Sequence, residues 1–195
     1  SAHRTAQGWV FGFPELCFQQ KSKIANASFV SNPGCYASGF IALSRPLIDG
    51  GFVSKDLCLV APAVSGYSGG GKKMIASIKN GKLPRQFDYA LDLAHKHIPE
   101  MMMYSGLTVP PLFMPSVGLF EQGMLVRLAM PKAQFLKDVS VHDICELYRA
   151  AYSEHPLIKI CESDSDSMAK NSLLLSADGL SGNDGLEIYC FNNQK

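Results

Sequence analysis

The chain has 195 residues, 47% hydrophobic and 18% charged, with a formal net charge of +1. That is room for one domain with a real core, so residues 1–195 are read as a single catalytic or substrate domain. The near-neutral balance, with no basic run among aromatics and no apolar run near ~20 residues, excludes strong nucleic-acid or membrane partners.

Residues 1–30 read as loops with one short strand near Phe29-Val30. The N-terminal Ser1-Ala2-His3-Arg4-Thr5 lacks the apolar stretch of a signal peptide. Asn32-Pro33-Gly34 forces a turn, and an apolar helical stretch runs from Tyr36 to about Ile48, closed by Gly50-Gly51. Leu57 to Val64 reads as a buried strand, Gly66 to Gly71 as a glycine-rich loop, and Lys72 to Ile78 as a helix. Tyr89, Leu91, Leu93, His95 and His97 share one parity, which is strand periodicity. Pro99 suits the first turn of a helix through Met101-Met102-Met103. Leu112 to Val117 and Met124 to Met130 read as strands, and Ser140 as the N-cap of a helix from Val141 to Tyr152. Leu157 to Cys161 and Leu186 to Phe191 read as strands, with polar loops at Ser163 to Asp166 and Asp178 to Gly185. Strands and helices do not alternate regularly. The expected class is α+β, a mixed and largely antiparallel sheet with helices on one face.

Cys17, Cys35, Cys58, Cys145, Cys161 and Cys190 form no Cys-x-x-Cys pair, which argues against a zinc site or a disulfide framework. A reducing cytoplasm is the simpler setting, with the five thiols other than Cys35 as small core hydrophobes. Cys35 differs, because it opens a predicted helix. There unpaired N–H groups and the positive end of the helix dipole stabilise a thiolate, the nucleophilic form. The same N–H groups suit an oxyanion. On spacing alone, a catalytic nucleophile and a buried core cysteine stand about even.

His95 and His97, on one face of the predicted strand, offer a general acid/base or a satisfied pair at a sheet edge. Gly66-Tyr67-Ser68-Gly69-Gly70-Gly71-Lys72 follows a strand but is succeeded by Lys73, so it lacks the hydroxyl that a P-loop places on magnesium. It is either a set of N–H donors for a phosphate or cofactor, or an ordinary turn. No strand is followed by Gly-x-Gly-x-x-Gly, so a dinucleotide fold is absent from the reading.

Taken together, Ser31-Asn32-Pro33-Gly34-Cys35-Tyr36-Ala37-Ser38-Gly39, Val64-Ser65-Gly66-Tyr67-Ser68-Gly69-Gly70-Gly71-Lys72-Lys73 and His95-Lys96-His97-Ile98-Pro99-Glu100 resemble the N-acetyl-γ-glutamyl-phosphate reductases of arginine biosynthesis, in their shorter form. Ala2-His3-Arg4-Thr5 and Phe11-Gly12-Phe13-Pro14-Glu15 resemble the stretch that leaves that family's cofactor domain. The resemblance implies a catalytic and dimerising domain, similar in fold to the second domain of glyceraldehyde-3-phosphate and aspartate-semialdehyde dehydrogenases. It implies a flanking NADP-binding Rossmann domain and a C-terminal segment, both outside this sequence. It implies an acyl-phosphate substrate, NADP as cofactor, and a homo-oligomer, dimer or tetramer.

By the same resemblance Cys35 is the nucleophile and His97 the acid/base. Arg4, His95, Glu100 and Arg85 would contact substrate, and Ser65, Gly66, Ser68 and Gly69 would face the nicotinamide. Ser38, Ile98 and Lys96 depart from the family's usual threonine, threonine and arginine. Two other readings are a lysine-pathway reductase of aminoadipyl phosphate and a non-catalytic thiol or interaction domain.

Overall fold

The computed structural model describes residues 4–162 and 174–193, so the loop expected at Ser163 to Asp166 lies outside the described residues. The central sheet has four strands. These are β3 (Val60–Gly66), β4 (Gln86–Asp88), β5 (Leu112–Gly118) and β6 (Met124–Val126), in the order β4-β5-β3-β6. Both outer pairings, β4 with β5 and β6 with β3, are antiparallel. The long central ladder, from Val60–Leu112 to Gly66–Gly118, is parallel. Two small sheets are also parallel: β1 (Val10–Phe11) with β2 (Val30–Ser31), and β7 (Ile158–Glu162) with β8 (Leu186–Cys190). The class is α+β with a mixed sheet, but parallel pairing carries more of it than expected. The cause is the crossover from β3 to β5, which passes through α3 (Gly71–Lys79) and α4 (Ile98–Ser105).

One face of the sheet is covered. Ala61, Ala63, Phe113 and Val117 are buried there, beneath α2 (Cys35–Asp49). The helix brings Tyr36, Ala37, Phe40, Ile41, Ser44 and Leu47 inward, the i, i+3, i+4 spacing of a buried stripe. Gly39 lets α2 approach closely, since a Cβ there would meet Val126 Cγ2 at 2.9 Å. Pro46 sits inside α2 and has no N–H for the carbonyl of Ala42. Tyr152 supplies the missing donor, its hydroxyl reaching Ala42 O at 2.8 Å. The Tyr148 hydroxyl donates to the next carbonyl, Leu43 O, at 2.7 Å. Both tyrosines belong to α5 (Val141–Tyr152), which Ser140 caps as expected from sequence; the structure adds a capping box with Asp143. On the opposite sheet face Leu112 and Met114 are exposed.

The expected strand from Tyr89 to His97 does not form. β4 ends at Asp88, and Ala90 (φ 52°) and Leu93 (φ 56°) turn the chain through the left-handed region. That conformation is costly for residues with a Cβ, and it breaks strand pairing. The alternation therefore marks a folded-back loop that leaves Leu91 and Leu93 exposed while burying His95 and His97.

Candidate active site

Cys35 is the first residue of α2 and is exposed, which removes the core-cysteine alternative. The first intrahelical bond runs from Ser38 N–H to Gly34 O at 2.9 Å. The N–H groups of Cys35, Tyr36 and Ala37 therefore precede the hydrogen-bonded ladder, where an anion is favoured. The Ser38 hydroxyl also donates to Gly34 O, at 3.2 Å, so the serine keeps the tie expected of a threonine.

The turn before Cys35 is held from α4. Glu100, only 2% exposed, accepts the Gly34 N–H through Oε2 at 3.0 Å. Its Oε1 accepts from Arg4 Nη1 at 2.9 Å and lies 3.9 Å from His97 Nε2. Arg4 Nε donates to Asn32 O at 2.9 Å, reaching the same turn from the other side. Gly34 is required by space rather than by conformation. A Cβ would fall 2.5 Å from both Glu100 Oε1 and His97 Nε2, and the residue has φ −70°.

The two histidines are adjacent but differently committed. Their ring centroids lie 4.6 Å apart. His95 Nδ1 accepts the backbone N–H of His97 at 3.1 Å, and its Nε2 meets the Tyr89 hydroxyl at 3.3 Å. That network assigns the His95 proton to Nε2. His97 Nδ1 is buried without a partner in the structure. Burial, then the charges of His95 and Arg4, push the His97 imidazole down to about 3, so it is neutral at ordinary pH. Burial also lowers His95.

Tyr36 and Tyr89 complete the site, and the sequence reading gave them no role. The Tyr36 hydroxyl donates to Ser116 O at 2.8 Å and also meets the side chains of Ser65 and Tyr89. Burial raises both phenols, with the neighbouring Cys35 adding to the shift, so both stay protonated. The chain His95–Tyr89–Tyr36–Ser116 fixes one histidine and leaves the other uncommitted. The available signal was local: Tyr36 follows the cysteine directly, and Tyr89 opens the loop that carries the histidines.

The glycine loop is placed differently from its expected role. Gly66 N–H is spent on Gly123 O at 3.0 Å, Tyr67 N–H on Phe120 O at 2.9 Å, and Ser68 N–H on Glu121 O at 3.1 Å. Gly69 is open, its nearest neighbour being Ser65 Oγ at 4.0 Å from an added Cβ. Ser65 enters the site through its bond to Tyr36. Arg85 is exposed, one residue before the pairing of Gln86 with Gly118, at the sheet end where the glycine loop begins. It makes no described contact with the Cys35 turn.

Residues 35–177 match the family model for the semialdehyde dehydrogenase dimerisation domain. The chain belongs to this family. It is 41% identical over 201 residues to the N-acetyl-γ-glutamyl-phosphate reductase of Trichormus variabilis, covering 99% of this chain and 62% of that protein. It is 35% identical to the enzyme of that name from Brucella ovis, covering 100% of this chain and 63% of the relative. The chain thus spans under two thirds of the curated relatives it matches. Aspartate semialdehyde dehydrogenase from Francisella tularensis has the same fold, with a TM-score of 0.60 at 10% identity over 97% of this chain and 63% of that one. The Vibrio cholerae aspartate semialdehyde dehydrogenase II gives 0.60 at 13% identity, over 97% and 59%. Among the described residues no helix is long and apolar enough to cross a membrane.

Proposed function

We propose that this chain forms the catalytic part of an N-acetyl-γ-glutamyl-phosphate reductase. The reaction is NADPH-dependent reductive dephosphorylation of the acyl phosphate to N-acetylglutamate semialdehyde. One observation carries the reading: an exposed cysteine at a helix start, on a turn fixed by a buried carboxylate that also faces a neutral histidine. The names of the relatives favour this substrate over the lysine-pathway alternative.

Cys35 sulfur attacks the acyl carbon, and phosphate leaves with the electron pair of the C–O bond, giving a thioester. The N–H groups at the start of α2 receive the developing oxyanion. NADPH, when bound, supplies the hydride that reduces the acyl carbon. His97, neutral at rest, is the group we assign to proton transfer: it takes the Cys35 thiol proton as sulfur attacks, gives it to the substrate oxygen after hydride transfer, and takes it back as the sulfur is released. His95, locked at both nitrogens, orients the loop that carries His97.

The open backbone at Gly69, beside Ser65, fits a flat ring. The spent donors of Gly66, Tyr67 and Ser68 do not fit a diphosphate. We therefore assign the diphosphate to an NADP-binding domain in the part of the relatives' length that this chain does not span. The exposed Leu112 and Met114 support self-association through the uncovered sheet face. The test is Cys35→Ala in the full-length enzyme, assayed in reverse with phosphate and the semialdehyde. Activity is expected to vanish with the fold intact; turnover near wild type contradicts the assignment.

A further inference from the structure

Arg4 is an arginine that substrate recognition does not need to explain. Its Nε reaches Asn32 O at 2.9 Å and its Nη1 reaches Glu100 Oε1 at 2.9 Å. The residue is itself held, because the Tyr104 hydroxyl donates to its carbonyl, and Tyr104 stacks on Phe11 with ring centroids 3.8 Å apart. One guanidinium thus joins the Asn32–Gly34 turn to α4 at two points.

We propose that Arg4 is a positioning residue of the Cys35 site: it compensates the buried Glu100 carboxylate, so that Glu100 can hold the Gly34 N–H without charging His97. This rests on the reading of Cys35 as the nucleophile, and it moves Arg4 and Glu100 from substrate contact to support of the turn.

A carboxylate 3.9 Å from an imidazole nitrogen favours the protonated ring when nothing opposes it. Here the ring is neutral. It is enclosed by the His95 ring at 4.6 Å, the Tyr36 ring at 6.3 Å and the Glu100 carboxylate, with Lys96 beside it. Arg4 sits on the oxygen of Glu100 that faces His97, which cancels the negative charge where it would act. A lysine carries the charge but not the fork that spans Asn32 O and Glu100 together. Without compensation, a carboxylate that is 2% exposed must take up a proton, draw one onto His97, or leave its site. Each outcome loosens the start of α2.

The test uses the ligand-free protein. Iodoacetamide labelling is read at peptide level, with exposed Cys58 as internal standard, and histidine ring signals are followed by NMR against pH. Arg4→Gln is expected to slow Cys35 labelling roughly tenfold relative to Cys58, the lower end for one lost charge-assisted hydrogen bond, and to move the His97 titration upward. Arg4→Lys should fall between wild type and Arg4→Gln. Arg4→Gln with Glu100→Gln removes both charges and should return His97 to its neutral behaviour. A substrate anchor would leave both ligand-free readouts unchanged, and that result overturns the proposal. If Arg4→Gln fails to fold, the double variant must fold; its failure also overturns the proposal, since compensation of Glu100 would then not be the role. Slow wild-type labelling of Cys35, no faster than Cys58, instead defeats the nucleophile reading, while the His97 titration still reports on Arg4.

Discussion

Two turns in this molecule carry the composition of a ligand loop, and only one keeps its donors. Before Cys35, the chain has a single glycine in the turn, and one N–H, that of Gly34, is committed to Glu100. The next three N–H groups open a helix of fifteen residues. At Gly66 to Gly71, four glycines crowd six positions, yet the first three amides are spent on the carbonyls of Gly123, Phe120 and Glu121. A loop's capacity to bind an anion depends on which N–H groups remain unpaired, not on its glycine content. The two loops also use glycine for different reasons. Gly34 is pressed between the Glu100 and His97 side chains, while a Cβ at Gly69 would meet only Ser65 Oγ, at 4.0 Å.

The largest expected contrast in stability separates those two glycines. Gly34→Ala places a Cβ against Glu100 and His97 and should lower stability by about 2–3 kcal/mol, an overpacking cost, while Cys35 labelling falls. Gly69→Ala, with no neighbour within contact distance, should stay within about 0.5 kcal/mol. Denaturant titration of both variants measures the difference, and equal costs would break the comparison.

On turnover, His97→Asn in the full-length enzyme should cost ~10²–10⁴-fold, as for a lost general acid/base. A change confined to KM would move His97 to substrate binding. A third test is in pH. The His97 imidazole is pushed down to about 3 in the folded protein, below its unfolded value near 6.5. Between those values the unfolded chain binds the extra proton, so His97 makes stability fall as pH drops from about 6.5 toward 3. Denaturation midpoints across that window should decline less in His97→Asn than in wild type. Parallel declines would mean that His97 is not held neutral.

Much of the scaffold was legible from local signals. Ser140 caps α5, Gly50 ends α2, and Pro99 opens α4, each through backbone chemistry that the residue type dictates. The parallel ladder between β3 and β5 was not legible, because register between distant strands is set by packing. The loop from Tyr89 to His97 misled because its alternation comes from a turn with two left-handed residues rather than from a pleat. Residue type singled out Cys35 and the histidine pair, and the fold brings His97 against the turn before Cys35. The roles of Arg4 and Glu100 were not legible, since a salt bridge spanning 96 positions leaves no local pattern.

The central claim is that Cys35 carries the acyl group. The most direct measurement supplies an acyl phosphate to the full-length enzyme without NADPH and maps the adduct by mass spectrometry. A hydroxylamine-sensitive thioester on the Cys35 peptide, absent from Cys58, which is also exposed, is the expected result. No adduct, or one shared by both cysteines, would contradict it.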